Sequence, residues 1–585
     1  MITQMKKYTF LVLASAYDRF LEQLREAGVV HVTLRAEGVA ENEELQTALA
    51  RADELQHILH QGAPDQLLKE VADVEQRIAA TKREVERMRV WGNFSHDKLE
   101  ALQAAGYTLR YYICPKSRFA DEWGILIFED KSTAYFVTVN NPLPEETGAI
   151  EQQLNTHCAA ELEKDIEALN GLLVAAKARI EAWQLANTEK LKAELIEVKQ
   201  QIDWQRVSLS SDTEAEGSLK LLEGFCPLDQ CADLEAMLAG QDCYYEAEDP
   251  QPEDATPIKL RNNWFTRLFE CLTGMYGWPN YGEFDPTPIL GPFFLLFFAL
   301  CIGDAGYGLL LILIGALIYK GKLKIDMFDG LGGIIMALGV GSAVVGYLMG
   351  GFFGINLYTA EWFPESAKCV MFNNLGVNGK IGEYDVMMVL SLVIGVFHIC
   401  LAMTIKAISY TLRFGFKETL SVWGWLLLIV GSLITIILTM TTLISIDAAK
   451  IALIVIAAIS AIGIFLLNKF GRNPLINIGS GLWDTYQMAT GLLGDVLSYI
   501  RLYALGLAGG MLGAAFNQLG TQVLGENPNI GTWIGFILIV TFGHVLNLLM
   551  ACLGAFVHPL RLSFVEYFKN AGYEGTGKLY TPFKK

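Results

Sequence analysis

Seven apolar stretches, at residues 288–319, 329–355, 384–411, 419–444, 449–469, 480–520 and 531–569, occupy the second half of this chain. Runs of that length cross a bilayer as helices, since about twenty residues at ~1.5 Å each span the hydrocarbon. The first 258 residues differ. They hold 46 acidic and 25 basic side chains, a net of −21, whereas the remainder holds 17 and 20. The expected fold class is therefore mixed: N-terminal α/β lobes joined by a long antiparallel two-helix coiled coil, then an all-α polytopic membrane domain of about eight helices, the two C-terminal ones being long. So acidic a soluble half excludes nucleic acid as a partner.

The start of the chain lacks the pattern of a secretory signal: the apolar run 10–16 is short and strand-like, and Asp18 and Arg19 end it. A cytoplasmic N-terminal half follows, and ten cysteines without a repeated spacing suit a reducing compartment. Cys226, Cys231 and Cys243 come nearest to a cluster, but irregular gaps and no matching histidine argue against a metal site. Residues 8–34 read as strand, helix and strand, with Gly28 as the helix stop. Polar helical segments follow at 41–90 and 151–210. The first places Val71, Val74, Ile78, Val85 and Met88 at three-four spacing; the second places Leu162, Ile166, Leu169, Leu173, Ala176, Ile180 and Trp183 on a heptad seam. Such a seam serves as a strut within the chain or as a contact between two copies, and the spacing leaves both open. The expected layout of 1–258 is a cytoplasmic dumbbell: a proximal lobe from 1–40 and 215–250, the two arms, and a distal lobe at 91–150. An acidic, proline-rich linker at 247–258 leads to an interfacial segment, 259–287, where Trp264, Phe265, Leu268 and Phe269 accompany Arg261 and Arg267. Residues 288–585 form the membrane domain.

Loop charge sets the expected orientation. Lys320, Lys322 and Lys324, then Lys406 to Lys417 with Arg413, then Lys469 and Arg472, and finally the C-terminal lysines are basic, while the loops near 356–383, 441–448 and 521–530 carry few or no cations. Basic loops stay in the cytoplasm. With a cytoplasmic N-terminal half, the first stretch must then cross twice, as a tight hairpin broken at Gly303, Asp304 and Gly306. Each arm is about sixteen residues, short for a full crossing. A single first crossing with the N-terminal half outside is the alternative. Asp304 reads as a helix cap or polar contact at the hairpin.

Arg501 lies near the middle of 480–520, with about twenty residues on each side, where a permanent cation is costly and marks charge in transit. On a helical wheel Gln487, Gly491, Gly494, Ser498, Arg501, Leu505 and Ala508 share one face. The last stretch repeats the pattern sixty residues on, with Asn547, Ala551, Gly554, His558 and Arg561. Asp495 lies about 120° from Arg501 on the wheel, so the two are not an evident pair. Asp484, Asp495, His544 and His558 can line a water-filled entrance or simply bond a neighbouring helix; for Arg561, helix packing with a snorkelling cation is the structural alternative. Nothing points to catalysis or a cofactor. Gly572 to Lys578 mimics a phosphate-loop spacing, but Leu579 replaces the metal-binding hydroxyl, so the chain has no nucleotide site of its own.

The run Leu497-Ser498-Tyr499-Ile500-Arg501-Leu502-Tyr503-Ala504-Leu505-Gly506-Leu507-Ala508, the segment 298–308 ending Gly303-Asp304-Ala305-Gly306-Tyr307-Gly308, and more weakly Leu560-Arg561-Leu562 with Val565-Glu566, Gly28-Val29-Val30-His31 and the Gly224 strand resemble the subunit I family of V/A-type rotary ATPases, called subunit a in eukaryotic V-type ATPases. The resemblance covers the whole chain. It implies the stator membrane subunit, coupling ATP hydrolysis or synthesis to H⁺ or Na⁺ translocation, with a proteolipid (c/K) ring, E/G-type peripheral stalks, a d/C-type central-stalk subunit and membrane lipid as partners. Arg501 and Arg561 match the family's two arginines. Asp484, Gln487, Asp495, Ser498, His544, Asn547, His558 and Glu566 become half-channel candidates. Two carboxylates common among relatives are absent, their positions being Ala551 and Gln487, and Pro559 is expected to interrupt the last helix. A secondary transporter with a cytoplasmic regulatory domain is the competing reading.

Overall fold

The structure is a computed structural model, and it describes residues 2–34, 42–92, 96–144, 147–154, 157–214, 218–251, 254–321, 331–371, 380–381, 383–466, 474–525 and 528–584. The chain divides into two compact units, one of residues 34–213 and one of 1–33 with 214–584.

In the first of these, helices Glu43–Gln61 and Asp65–Arg89 pack along the single long helix Ala159–Leu209. Cross-links fix their direction. Glu44 meets Gln205, Arg51 meets Glu194, Glu70 meets Arg179 and Glu75 meets Lys177, so one number falls as the other rises and the helices run antiparallel. Leu162, Leu169 and Ala176 are buried, with Ile166, Leu173, Ile180 and Trp183 half-buried between them, because only that stripe faces a partner helix. The ion pairs are exposed and stabilise little individually. The same unit holds a four-stranded sheet in the order Ile125–Glu129, Thr133–Val139, Leu109–Pro115, Ile150–Gln152.

In the second unit, strand Met5–Leu13 pairs antiparallel with Leu219–Pro227 on one side and Cys243–Glu248 on the other, and His31–Val32 extends the sheet beyond Leu219–Pro227. Helix Tyr17–Ala27 covers it with Phe20, Leu21 and Leu24 and stops at Gly28, whose φ of 61° suits glycine. The C-terminal tail docks on this sheet. Phe583 N–H donates to Val30 O, the Tyr580 hydroxyl to Val29 O, and His31 Nδ1 lies 2.8 Å from Thr581 O and 3.1 Å from Thr581 N. Burial and the nearby Lys578 push the His31 pKa down, outweighing the Thr581 bond that raises it. A histidine depressed in the folded state holds its full contribution above its unfolded pKa of about 6.5 and loses it as pH falls through that value. The protection factors of tail amides 578–584, exchange rates taken relative to the intrinsic rate at each pH, should therefore be lower at pH 5.5 than at 7.5, and His31→Gln should flatten that dependence.

Six helices among the described residues are long and apolar enough to cross a membrane: Gly332–Met349, Val386–Phe414, Leu420–Met440, Ile446–Leu466, Leu475–Leu524 and Ile530–Ala571; two shorter apolar helices are Thr287–Ile302 and Ala305–Tyr319. This is a multi-pass membrane protein. The segment expected to be interfacial forms two short helices, Trp264–Leu268 and Glu270–Tyr276, with Trp264 exposed and Phe269 buried. Of the loop cations used to orient the chain, Lys322, Lys324, Lys469 and Arg472 lie outside the described residues.

The chain reverses at Gly303 and Asp304. Leu295 packs on Gly341 and Gly303 on Gly351, while Ala305 meets Gly346 and Ile312 meets Gly339, so both short helices flank Gly332–Met349 in opposite directions. Gly303 takes a φ of 56°, and a Cβ at Gly346 would lie 2.2 Å from the Ala305 nitrogen. Asp304 is 3% exposed. Its carboxylate accepts from Gly306 N–H and Tyr307 N–H at 2.8 and 3.2 Å, capping the second helix, and from Phe353 N–H and Gly354 N–H at 2.9 and 2.8 Å in the following loop. Four bonds to one carboxylate make it a structural hub. Asp304→Ala would leave those donors bare in the interior, each costing ~1–3 kcal/mol, and should leave little folded protein by gel filtration.

One expectation is extended and one needs correction. The stretch 480–520 is part of a 50-residue helical run, Leu475–Leu524, with a turn at Tyr499. Such a run is roughly 75 Å long against ~30 Å of hydrocarbon, so it is long enough to lie inclined or to extend past the interface, and Arg501 stays near its middle. Pro559 does not break the last helix. It is buried inside Ile530–Arg561, which continues through a wider π-helical stretch, Leu562–Tyr567, to Ala571. The wider stretch lies just beyond the proline, where the regular hydrogen-bond ladder is already short of one donor.

Candidate functional site

The two long helices lie antiparallel, with Ser498 meeting Glu566, Gly509 meeting Asn547 and Asn517 meeting His544. Arg501 sits between two polar networks on this pair. On one side, Ser498 Oγ donates to Glu566 Oε1 at 2.7 Å and accepts from Arg501 Nη2 at 3.2 Å. Glu566 is 3% exposed, and its second oxygen has no hydrogen-bond partner. The π-helical stretch sets its direction, since Asn570 Nδ2 donates to Glu566 O at 2.6 Å and to Asp495 Oδ2 at 2.8 Å. Lys569 Nζ lies 3.4 Å from that same Asp495 oxygen. Asp495 therefore joins Glu566 through Asn570, one helix turn and a half before Arg501.

On the other side, Asn547 Nδ2 donates to the Tyr307 hydroxyl and to Gly509 O, both at 2.9 Å. Tyr307 Oη lies 2.7 Å from His544 Nδ1, and His544 Nε2 lies 3.0 Å from Asn517 Oδ1, whose amide nitrogen donates to Phe353 O at 2.7 Å. One assignment satisfies every member: Tyr307 donates to Nδ1, and a neutral His544 donates from Nε2. This network is built without a carboxylate acting through its side chain, because the nearby Asp304 is committed to backbone donors.

The guanidinium itself is incompletely satisfied: Arg501 Nη1 is buried with no hydrogen-bond partner. The small residues of its stripe leave space rather than close a helix contact. A Cβ at Gly494 would meet nothing within 4 Å, and Ala504 and Ala508 are exposed along with Leu493 and Leu497. The close glycine contacts fall on other faces, Gly506 against Leu300 O and Gly520 against Phe536. The result is an uncovered face of small and apolar side chains around a cation with a spare donor.

The other sequence candidates separate. Asp484 and Gln487 are exposed, 17 and 14 residues before Arg501, and are not members of the two networks described. His558 has a buried Nδ1 without a hydrogen-bond partner, and Arg561 is exposed. Four residues were not singled out in the sequence as site candidates: Tyr307 and Tyr499, which stood there only as motif members, and Asn517 and His398. His398 is buried between the Phe293 and Tyr567 rings, at 4.2 and 4.5 Å, and its Nδ1 lies 2.9 Å from the Tyr499 hydroxyl at the helix turn before Arg501. A histidine or asparagine inside an apolar stretch was the signal available for His398 and Asn517.

The sequence profile of the V-type ATPase 116kDa subunit family matches residues 145–368 and 488–585, more than half of the chain. The chain is 26% identical to the V-type ATP synthase subunit I of Borreliella burgdorferi and 27% identical to V-type ATP synthase subunit I 1 of Treponema pallidum, in both cases over the full length of each chain. It is 34% identical to the A-type ATP synthase subunit I of Methanocaldococcus jannaschii over 58% of this chain and 50% of that one. With Arg501, Glu566, Tyr307 and Asp304 all inside the matched segments, the chain belongs to the V-type ATPase 116kDa subunit family.

Proposed function

We propose that this chain is the stator membrane subunit of a rotary V/A-type ATPase, holding a proteolipid ring against the Arg501 face while the ring turns. The observation that carries the reading is a half-buried guanidinium with an unbonded Nη1, on an uncovered face between two polar networks. A ring carboxylate arriving there finds a permanent cation and a spare donor. The positive charge favours its ionised form, so the bound cation leaves. It also repels a passing cation, which prevents a direct leak between the two sides.

In this reading Ser498, Glu566, Asp495 and Asn570 serve the half-channel toward the basic loops, taken as cytoplasmic, and Tyr307, His544, Asn547 and Asn517 serve the opposite half-channel. Glu566 supplies the acid that Gln487 does not. Arg561, exposed, acts as a second positive charge on the cytoplasmic side. The 34–213 unit carries the E/G-type peripheral stalks and resists torque, and the d/C-type central-stalk subunit turns with the ring. H⁺ and Na⁺ both suit the geometry, since the ion-binding carboxylate belongs to the ring.

Reconstitution separates this from a secondary transporter. Liposomes holding the purified chain alone should take up no cation, while those holding the assembled complex should show ATP-driven uptake. Cation uptake by the isolated chain would overturn the stator reading.

A further inference from the structure

A cavity of about 640 Å³ lies on the side of helix Ile500–Leu524 away from Arg501; Asp304 lines it, and no member of either polar network does. Its inner end is formed by Leu300, Ile394 and Leu502, the last adjacent to Arg501 in the chain. Its outer end is Asp385, exposed immediately before helix Val386–Phe414, and Ile394 lies nine residues further along, about 13 Å of helical rise. Across the mouth the Tyr503 hydroxyl donates to the Asp385 carboxylate. Ser391 and the Gly303, Gly351 and Gly354 backbone add polar lining. At ~30 Å³ each, on the order of twenty waters fit, and although apolar side chains make up most of the lining, its polar groups give such waters partners.

The wall between this cavity and the Tyr307 network is thin. Gly510 lines the cavity, and the preceding Gly509 carbonyl accepts from Asn547. A Cβ at either glycine would meet nothing within 4 Å. Further along, a Cβ at Gly513 would lie 3.1 Å from Gly354 Cα and 3.3 Å from Asn547 Nδ2, so this glycine lets the loop and the network approach the helix together. One peptide unit thus separates the cavity from the polar network.

We infer that this cavity is the aqueous route by which a monovalent cation exchanges between the non-cytoplasmic solution and the Tyr307–His544–Asn547 network, with Tyr503 and Asp385 closing its mouth. The inference rests on the stator reading for its purpose, and its geometry assigns the route to residues outside the long-helix stripe. Asp304, although it lines the cavity, is occupied by four backbone donors, which leaves Asp385 as the acid facing an incoming cation.

The test uses the assembled complex in sealed vesicles. Gly510→Cys and Ser391→Cys are exposed to a membrane-impermeant cationic methanethiosulfonate from the non-cytoplasmic side, against the parent complex as background. Both should be modified, and modification of the already assembled Gly510→Cys complex should slow ATP-driven uptake at least about tenfold, a barrier increase of ~1.4 kcal/mol. Tyr503→Phe should speed labelling at Ser391→Cys by removing the bond across the mouth. Labelling only by a membrane-permeant apolar maleimide would mean a lipid-filled groove and overturn the route; uptake at the parent rate after full modification of Gly510→Cys would do the same. Unchanged labelling in Tyr503→Phe would remove the closure. Water access is read by labelling even if Arg501 proves dispensable for pumping, so failure of the route and failure of the stator reading are told apart.

Discussion

Arg501→Ala should abolish ATP-driven cation uptake by the assembled complex, by ~10² or more, while the protein becomes no less stable. The first half follows from the charge. Removing a preorganised cation from a low-dielectric site costs transport as removing a preorganised donor costs catalysis, on the order of 10²–10³ in rate. The second half follows from the bonding. Arg501 makes one hydrogen bond to Ser498 within the chain and leaves Nη1 buried without a partner, so its attraction to Glu566 is offset by its own desolvation and its net contribution to the fold is small. A structural arginine behaves in the opposite way, losing stability first. Thermal unfolding of the purified complex, measured beside uptake and ATP hydrolysis, distinguishes the two. Arg501→Lys should not restore the parent rate, because an ammonium cannot hold Ser498 with one nitrogen and offer a second, separately placed donor. Uptake at the parent rate in Arg501→Ala would sink the assignment.

Arg501, the turn at Gly303 and Asp304, and the buried stripe Leu162, Leu169 and Ala176 were legible because each depends on local pattern: a charge in an apolar run, a glycine-aspartate break, a heptad spacing. What was not legible depends on which helices meet. The wheel placed Asp495 about 120° from Arg501, which left it a half-channel candidate with no named partner. The structure connects it through Asn570 and Glu566, on a helix seventy residues later. His544 and Asn547 were visible as polar residues, but their common partner, Tyr307, lies on a short helix more than two hundred residues earlier. Depth in a bilayer is not counted from run length alone, for a related reason. Hydropathy reports how many residues are apolar, and inclination is set by packing against neighbours. The run around Arg501 lies inside a matched segment, but only folding brings Ser498 to Glu566.

Glu566→Gln is the second variant with a large expected effect, because it removes the charge that opposes Arg501 and keeps the shape. The glutamine carbonyl can still accept from Ser498, which bonds Glu566 Oε1 at 2.7 Å in the parent. Through that serine the carboxylate and guanidinium lie within about 6 Å of each other. At an effective dielectric of about 20 two unit charges at that distance interact by about 3 kcal/mol. Without Glu566 the guanidinium would hold an ionised ring carboxylate more tightly by an amount of that order, and the ring would leave Arg501 more slowly. The expected result is maximal uptake lowered tenfold or more, with the complex assembled and the cation concentration for half-maximal rate little changed. Ser498→Ala keeps both charges and removes only the bridge, so its loss should be smaller. If Glu566 were only a packing residue, Glu566→Gln would pump at the parent rate and unfold at a lower temperature. If it were needed only to admit cations from solution, raising the cation concentration would restore the rate, whereas a ring held too long at Arg501 stays slow at any concentration.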